Sequence, residues 1–354
     1  MDDWFTKTLL KWYKTHQRDL PWRRENDPYK IWLSEIILQQ TQVKQGLSYY
    51  LAFTAAFPEV QDLAKAPEDK VLKLWQGLGY YSRARNLHAS AKLIVQHYGG
   101  RFPSTYEELL TLKGVGEYTA AAIASFAFHL PHAVVDGNVY RFLSRLFAIE
   151  TPIDSGQARK QFTQLANQLL DKRRPGPFNQ AIMEFGSQWC KPQRPDCRQC
   201  VFNTRCLAFQ TGSVDRYPVK IKKTKVKKRH FHYLVLADKT GRFLIQKRDK
   251  KDIWLGLYEF PLIETDVAAE PDTLFSSQAF KALRIKNFSL VSTSGVYLHQ
   301  LSHQQLHAVF FVLSVRTLPA LPGTIKTSRN QLKKYAFPRL IDKFLDSEGL
   351  KEII

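Results

Sequence analysis

Apolar residues at Phe5, Leu9, Leu10, Trp12 and Tyr13 recur at helical spacing and predict a helix over 4–16, ended by Leu20-Pro21-Trp22-Arg23. Asp27-Pro28 is a start signal: a capping carboxylate, then a proline whose missing N–H costs nothing at the first helical position. The helix it opens puts Ile31, Trp32, Ile36 and Leu38 on one face, and Glu35 falls among them. Over 43–128, short amphipathic helices alternate with joints at Phe57-Pro58, Ala66-Pro67 and Phe102-Pro103. Ser104-Thr105-Tyr106-Glu107 has the capping-box pattern and predicts a helix over 104–112. Lys113-Gly114-Val115-Gly116 breaks it, and the alanine-rich stretch 117–128 resumes as a helix. Val135-Asp136-Gly137-Asn138 then sets a carboxylate at the turn that opens a helix over 139–147. Beyond residue 230 the period changes to two, with strands expected over 233–237, 242–247, 296–298 and 307–315.

The change of period suggests two domains, and 354 residues suffice for both. The joint is the run containing Lys220, Lys222, Lys223, Lys225, Lys227, Lys228 and Arg229, basic and poor in apolar groups, which reads as a linker. Charge then narrows the partners. With 52 Lys+Arg against 32 Asp+Glu the formal net charge is +20, and the pI is near 9.7. Such an excess points to a polyanion, and nucleic acid fits better than a membrane, because neither a basic amphipathic helix nor a lipidation signal stands out. No stretch approaches the roughly 18 apolar residues of a membrane span. Met1-Asp2-Asp3-Trp4 has no basic n-region before an apolar run, so an intracellular, DNA-associated setting (cytoplasm or nucleoid in a bacterium) is expected.

Three features carry candidate chemistry. The backbone N–H groups of Gly114, Val115 and Gly116 lie at a positive helix start and can hold a phosphate, although Gly-Val-Gly is equally the sequence of a plain tight turn. Glu35 on an apolar face is either half of a structural ion pair or a general acid whose proton burial retains near neutral pH. The four cysteines, Cys190, Cys197, Cys200 and Cys206, form the pattern C-x6-C-x2-C-x5-C. Four thiols in one short window suit a metal better than disulfides, and chemistry alone leaves zinc and an iron-sulfur cluster both open.

The hairpin and Asp136 resemble the helix-hairpin-helix DNA glycosylase superfamily. Leu33-Ser34-Glu35-Ile36-Ile37-Leu38-Gln39-Gln40-Thr41-Gln42-Val43 and Gln76-Gly77-Leu78-Gly79-Tyr80-Tyr81-Ser82-Arg83-Ala84-Arg85 resemble, more narrowly, the adenine DNA glycosylases, the MutY family. The resemblance implies an all-helical glycosylase domain over 1–210 with one [4Fe-4S] loop at 190–206. A linker at 211–229 and a MutT-like (Nudix-fold) lesion-recognition domain over 230–354 would follow, so the fold class is α plus α+β. Gly256-Leu257-Tyr258-Glu259-Phe260-Pro261 supports the second domain, yet residues 262–290 lack the Arg-Glu-x-x-Glu-Glu helix of active Nudix hydrolases.

The same resemblance implies a monofunctional enzyme that removes adenine opposite 8-oxoguanine or guanine in duplex DNA, acting as a monomer in base excision repair. Glu35 would protonate adenine and Asp136 stabilise the sugar cation, with Asn138 and Tyr118 positioning them. Tyr118 occupies the place where related lyases carry the lysine that forms a Schiff base, so excision without strand cleavage is expected. Arg23 and Gln180 would contact the extruded adenine, and Gln40, Thr41 and Tyr80 the opened duplex, with Arg83 and Arg85 supplying charge to phosphates. Lys191, Arg194 and Arg198 would meet phosphates from the cysteine loop. Leu301-Ser302-His303 stands where the family reads 8-oxoguanine with Phe-Ser-His, so Ser302 and His303 are the reading groups, and the leucine removes a stacking surface. The rivals are a pyrimidine lyase like endonuclease III, a Nudix pyrophosphohydrolase and a non-enzymatic damage sensor.

Overall fold

Asp27 caps its helix as its sequence requires, its carboxylate accepting from the N–H of Tyr29 at 2.9 Å. That helix is one of twelve in the first part of the computed structural model, which describes residues 4–221 and 226–347. They are α1 (Trp4–His16), α2 (Pro28–Leu38), α3 (Val43–Ala56), α4 (Val60–Lys65), α5 (Glu68–Trp75) and α6 (Ser82–Tyr98), then α7 (Tyr106–Leu110), α8 (Glu117–Ala127), α9 (Gly137–Leu146), α10 (Gly156–Leu169), α11 (Pro175–Gln188) and α12 (Leu207–Gln210). The helix α2 is buried on nearly every side, from Tyr29 to Ile37. It packs on α8, whose run of small residues lets helices approach closely, and α8 and α9 both pack on α11.

Two helix starts differ from the sequence expectation. The helix α7 is capped by Thr105 with Glu108, not Ser104 with Glu107, because both overlapping frames satisfy the capping-box pattern. The helix α9 starts at Gly137 because Asp136 itself is the cap.

In the second part lie β1 (Lys227–Asp238), β2 (Arg242–Lys247), β3 (Tyr258–Glu259), β4 (Leu262–Thr265), β5 (Phe288–Thr293), β6 (Tyr297–Gln300), β7 (Gln304–Val315) and β8 (Thr324–Ser328). Four short helices accompany them: α13 (Pro271–Ser276), α14 (Gln278–Ala282), α15 (Arg329–Leu332) and α16 (Arg339–Asp346). The main path through the sheet is β3-β2-β1-β7-β5, with β4 on β1, β6 on β7 and β8 on β2. The strands β1 and β7 pair in parallel from Lys227↔Gln304 to Asp238↔Val315, and every other pairing is antiparallel. That long parallel pairing carries β1 six residues upstream of the expected start and into the expected linker. Lys222, Lys223 and Lys225 of that linker lie outside the described residues.

Both faces of the sheet are covered. Phe231, Tyr233 and Val235 of β1 face one core with Phe310 and Phe344. Leu234 and Leu236 face the other with Phe280, Phe311 and Leu313.

The compact units are not the contiguous blocks expected from the sequence. One comprises 1–65 and 86–222, and the other comprises 66–85 and 223–354. Thus α5, the glycine turn after it and the first residues of α6 group with the C-terminal sheet.

Candidate active site

The helical unit holds a cavity of about 510 Å³ lined by Glu35, Tyr118, Asp136, Asn138, Arg23, Thr41, Gln180 and Glu184. Glu35 and Asp136 are 101 positions apart in sequence yet share this cavity, because α2 and the start of α9 flank α8 and α11. Glu35 is 7% exposed. The Tyr118 hydroxyl donates to its Oε2 at 2.7 Å. Burial pushes the Glu35 carboxyl up to about 7, the Tyr118 hydrogen bond and the Arg23 charge opposing and the Asp136 charge adding.

Asp136 is held more firmly. Its Oδ1 accepts from the N–H of Asn138 at 2.9 Å and of Val139 at 2.8 Å, and its Oδ2 from Asn138 Nδ2 at 2.7 Å. Burial raises its pKa, opposed by those N–H groups and by the charge of Arg141. Asn138 is fixed in turn, since Arg141 donates to its Oδ1 at 3.0 Å and to the Cys190 carbonyl at 2.8 Å. A carboxylate capping a helix is locked in direction, which suits a fixed negative charge rather than a mobile base.

Glu184 escaped the sequence reading. Its side chain is fully buried, binds Arg18 in fork geometry at 2.6 and 2.7 Å, and takes a third bond from Arg23 Nη2 at 2.7 Å. Burial alone would raise its pKa, but the bonds and charges of the two arginines outweigh it and hold the carboxyl below its usual range. No local pattern reveals a pairing over some 166 positions; the only hint was an acidic residue in the otherwise apolar stretch Ala181-Ile182-Met183-Glu184-Phe185. Arg23 therefore lines the cavity with its charge already paired. Gln180 lines it too, its Oε1 accepting from the Tyr13 hydroxyl at 2.8 Å.

Gly114 adopts φ +79°, and a Cβ there would meet Asn86 Cβ at 2.9 Å. Gly116 caps α8 in extended geometry with open space around it, and Val115 is buried between them. Gln40 follows α2 at φ +57° and is exposed.

In the other unit Tyr80 is 52% exposed at φ +46°, with its hydroxyl 2.6 Å from Ser302 Oγ. Ser302 and His303 are the exposed residues at the tip of the turn between β6 and β7, closed by Leu301 N–H to the Gln304 carbonyl at 2.8 Å. Leu301 tucks against the sheet core. Arg83 and Arg85 are not free for phosphates as the sequence suggested. Arg83 is buried over the Trp75 ring and bonded to the Leu78 and Gly79 carbonyls, and Arg85 donates to the Leu255 carbonyl at 2.6 Å. Their aliphatic stems and planar heads pack as well as they pair.

The four cysteines line one pocket with Phe142, Phe185, Phe202 and Phe209. Arg145 reaches Cys190 Sγ at 3.5 Å and the carbonyls of Lys191 and Pro192 at 2.6 and 3.1 Å. Among the described residues no three His, Cys, Asp or Glu side chains are grouped closely enough for a single metal ion. Four soft thiols facing one apolar space beside a cation nevertheless match the donor set of an iron-sulfur cluster, which spans more room than an ion. Lys191, Arg194 and Arg198 are exposed on that loop.

Residues 33–168 match the model of the HhH-GPD superfamily base excision DNA repair proteins, and residues 232–347 match that of the NUDIX domain. The chain is 35% identical over 307 residues to an adenine DNA glycosylase of Buchnera aphidicola (subsp. Baizongia pistaciae), covering 86% of this chain and 84% of that one. The chain belongs to the adenine DNA glycosylase family. Longer members match as well: one of Arabidopsis thaliana is 37% identical over 75% of this chain and 48% of its own length, and one of Homo sapiens 47% identical over 58% and 39%. This chain thus spans about half the length, or less, of the plant and human relatives. Among solved structures, a thermostable thymine-DNA glycosylase aligns with TM-score 0.55 and 31% identity, covering 58% of this chain and 95% of that one. An endonuclease III bound to DNA aligns with TM-score 0.51 at 20% identity over 59% of this chain and 95% of that one, which speaks to the fold of the helical unit. No helix among the described residues is long and apolar enough to cross a membrane.

Proposed function

We propose that this member of the family hydrolyses the N-glycosidic bond of adenine mispaired with 8-oxoguanine, or with guanine, in duplex DNA, and leaves an abasic site. The observation that carries the reading is the buried Glu35 carboxyl, which burial pushes up to about 7, in the same cavity as the locked carboxylate of Asp136. A leaving adenine needs a proton and the departing sugar cation needs a fixed anion; the first group supplies one and the second the other. The cavity is large enough for an extruded base, and extrusion costs a few kcal/mol, offset by contacts to phosphates and pocket. Gly114 to Gly116 would hold the backbone, Gln40 and Tyr80 would enter the opened stack, and Ser302 and His303 would read the opposite base. Tyr118 offers a hydroxyl rather than an amine, which supports excision without a Schiff base. Cys190, Cys197, Cys200 and Cys206 would hold one [4Fe-4S] cluster, and with it bound the 190–206 loop that carries Lys191, Arg194 and Arg198 would be pinned.

The test is Glu35→Gln on the full chain. Binding to an A:8-oxoguanine duplex should persist while single-turnover excision falls by about 10²–10⁴-fold, the usual worth of a positioned acid. Excision at the unsubstituted rate would remove Glu35 from the role.

A further inference from the structure

The stretch 66–85 lies inside the sequence of the helical unit but groups with the C-terminal one. Its attachment is built from side chains along its whole length. Asp69 accepts from Lys247 Nζ at 2.6 Å and from the Tyr258 hydroxyl at 3.0 Å. Lys73 Nζ donates to the Tyr335 carbonyl at 2.9 Å and to Gln76 Oε1 at 2.7 Å, while Gln76 Nε2 donates to Asp342 at 2.6 Å. Arg85 closes the far end on the Leu255 carbonyl. Gly256, at φ +84°, sits close under α5: a Cβ there would come to 3.1 Å from Leu72 Cδ1.

Between these anchors the chain turns through Gly77 at φ +99° and Gly79 at φ +73° to Tyr80, whose hydroxyl ends on Ser302. From this geometry we infer that Asp69 and Gln76 are positioning residues for discrimination of the base opposite adenine: they fix α5 on the C-terminal sheet and so set where Tyr80 stands relative to Ser302. The inference rests on the proposed function and adds to it the residues that couple wedge to reader. A wedge anchored on the reading unit ties entry into the duplex to recognition of the opposite base, so loosening the anchor should harm discrimination more than chemistry.

The experiment uses the full chain carrying Asp69→Ala with Gln76→Ala, and Asp69→Ala alone should the double variant not fold. Two quantities are read: the ratio of single-turnover excision rates for adenine opposite 8-oxoguanine and opposite guanine, and hydrogen exchange over 68–85. The ratio should drop by about tenfold, the scale of losing hydrogen bonds to charged groups. Excision opposite guanine should stay within about twofold, 68–85 should exchange faster, and Asp69→Asn, which keeps an acceptor for Tyr258, should recover part of the ratio. An unchanged ratio, an equal loss on both duplexes, or unaltered exchange would overturn the inference. If the unsubstituted protein excises adenine opposite neither base, the proposed function fails instead, and the exchange result decides by itself whether Asp69 and Gln76 anchor the stretch.

Discussion

Glu35 keeps a proton near neutrality because burial outweighs a hydrogen bond that favours its ionised form. Excision should therefore be flat at acid pH and decline tenfold per pH unit above about 7, as the acid is titrated away. Removing the bond sharpens the point: Tyr118→Phe deletes the donor that stabilises the carboxylate, so the declining limb should move to higher pH. A single-turnover pH profile of both proteins checks this, and a limb that stays in place or moves down would show that the bond does not govern the titration. The same shift has a stability sign. The folded state holds the Glu35 proton more tightly than the unfolded chain, so between about 4.5 and 7 stability falls as pH rises. Glu35→Gln, which cannot ionise, should be more stable than the unsubstituted protein at pH 8 by up to roughly 3 kcal/mol and should differ less at pH 4.5. Denaturant unfolding at the two pH values measures it.

Among the elements, the hairpin between α7 and α8 separates conformational need from mere occupancy by glycine. Gly114 has a left-handed backbone and a crowded Cβ position against Asn86, while Gly116 is extended and open. Gly114→Ala should cost about 1–3 kcal/mol and weaken duplex binding, whereas Gly116→Ala should leave the melting temperature near that of the parent. Thermal unfolding with a binding titration distinguishes the two, and equal losses would mean that the turn itself, not its φ, is what matters. The pattern Lys113-Gly114-Val115-Gly116 made this hairpin legible, as Asp27-Pro28 did α2 and the alternation of Arg242 to Lys247 did β2, since each is decided by neighbours in the chain. The start of β1 was not, because Lys227 to His232 are held by the parallel partner Gln304 to Val309, which no local pattern announces. Arg83 and Arg85 were misplaced for a related reason: a basic residue beside glycines looks alike whether it faces phosphate or, as here, the Trp75 ring and backbone carbonyls.

For the molecule as a whole, the convergence of Glu35 and Asp136 was foreseeable only through family resemblance, and the discontinuous unit 66–85 with 223–354 not at all, since it depends on contacts across more than 170 positions. What composition does foretell is the form of the binding energy. A net charge of +20 makes attraction to any duplex strong and dependent on salt, because each neutralised phosphate releases counterions. In the proposed function, discrimination of the opposite base falls to different groups, the Ser302 hydroxyl and the His303 ring on an exposed turn, which would act by hydrogen bonds rather than by net charge. The two contributions should separate. Between 50 and 200 mM salt, affinity should fall by roughly 10³-fold or more on duplexes with A:8-oxoguanine and with A:G alike, leaving parallel lines of log Kd against log salt. Ser302→Ala with His303→Ala should close the gap between the lines without changing their slope. Lines that converge in the unsubstituted protein as salt rises, or a gap that survives the double substitution, would place discrimination in the basic surface and return the turn to a purely structural part.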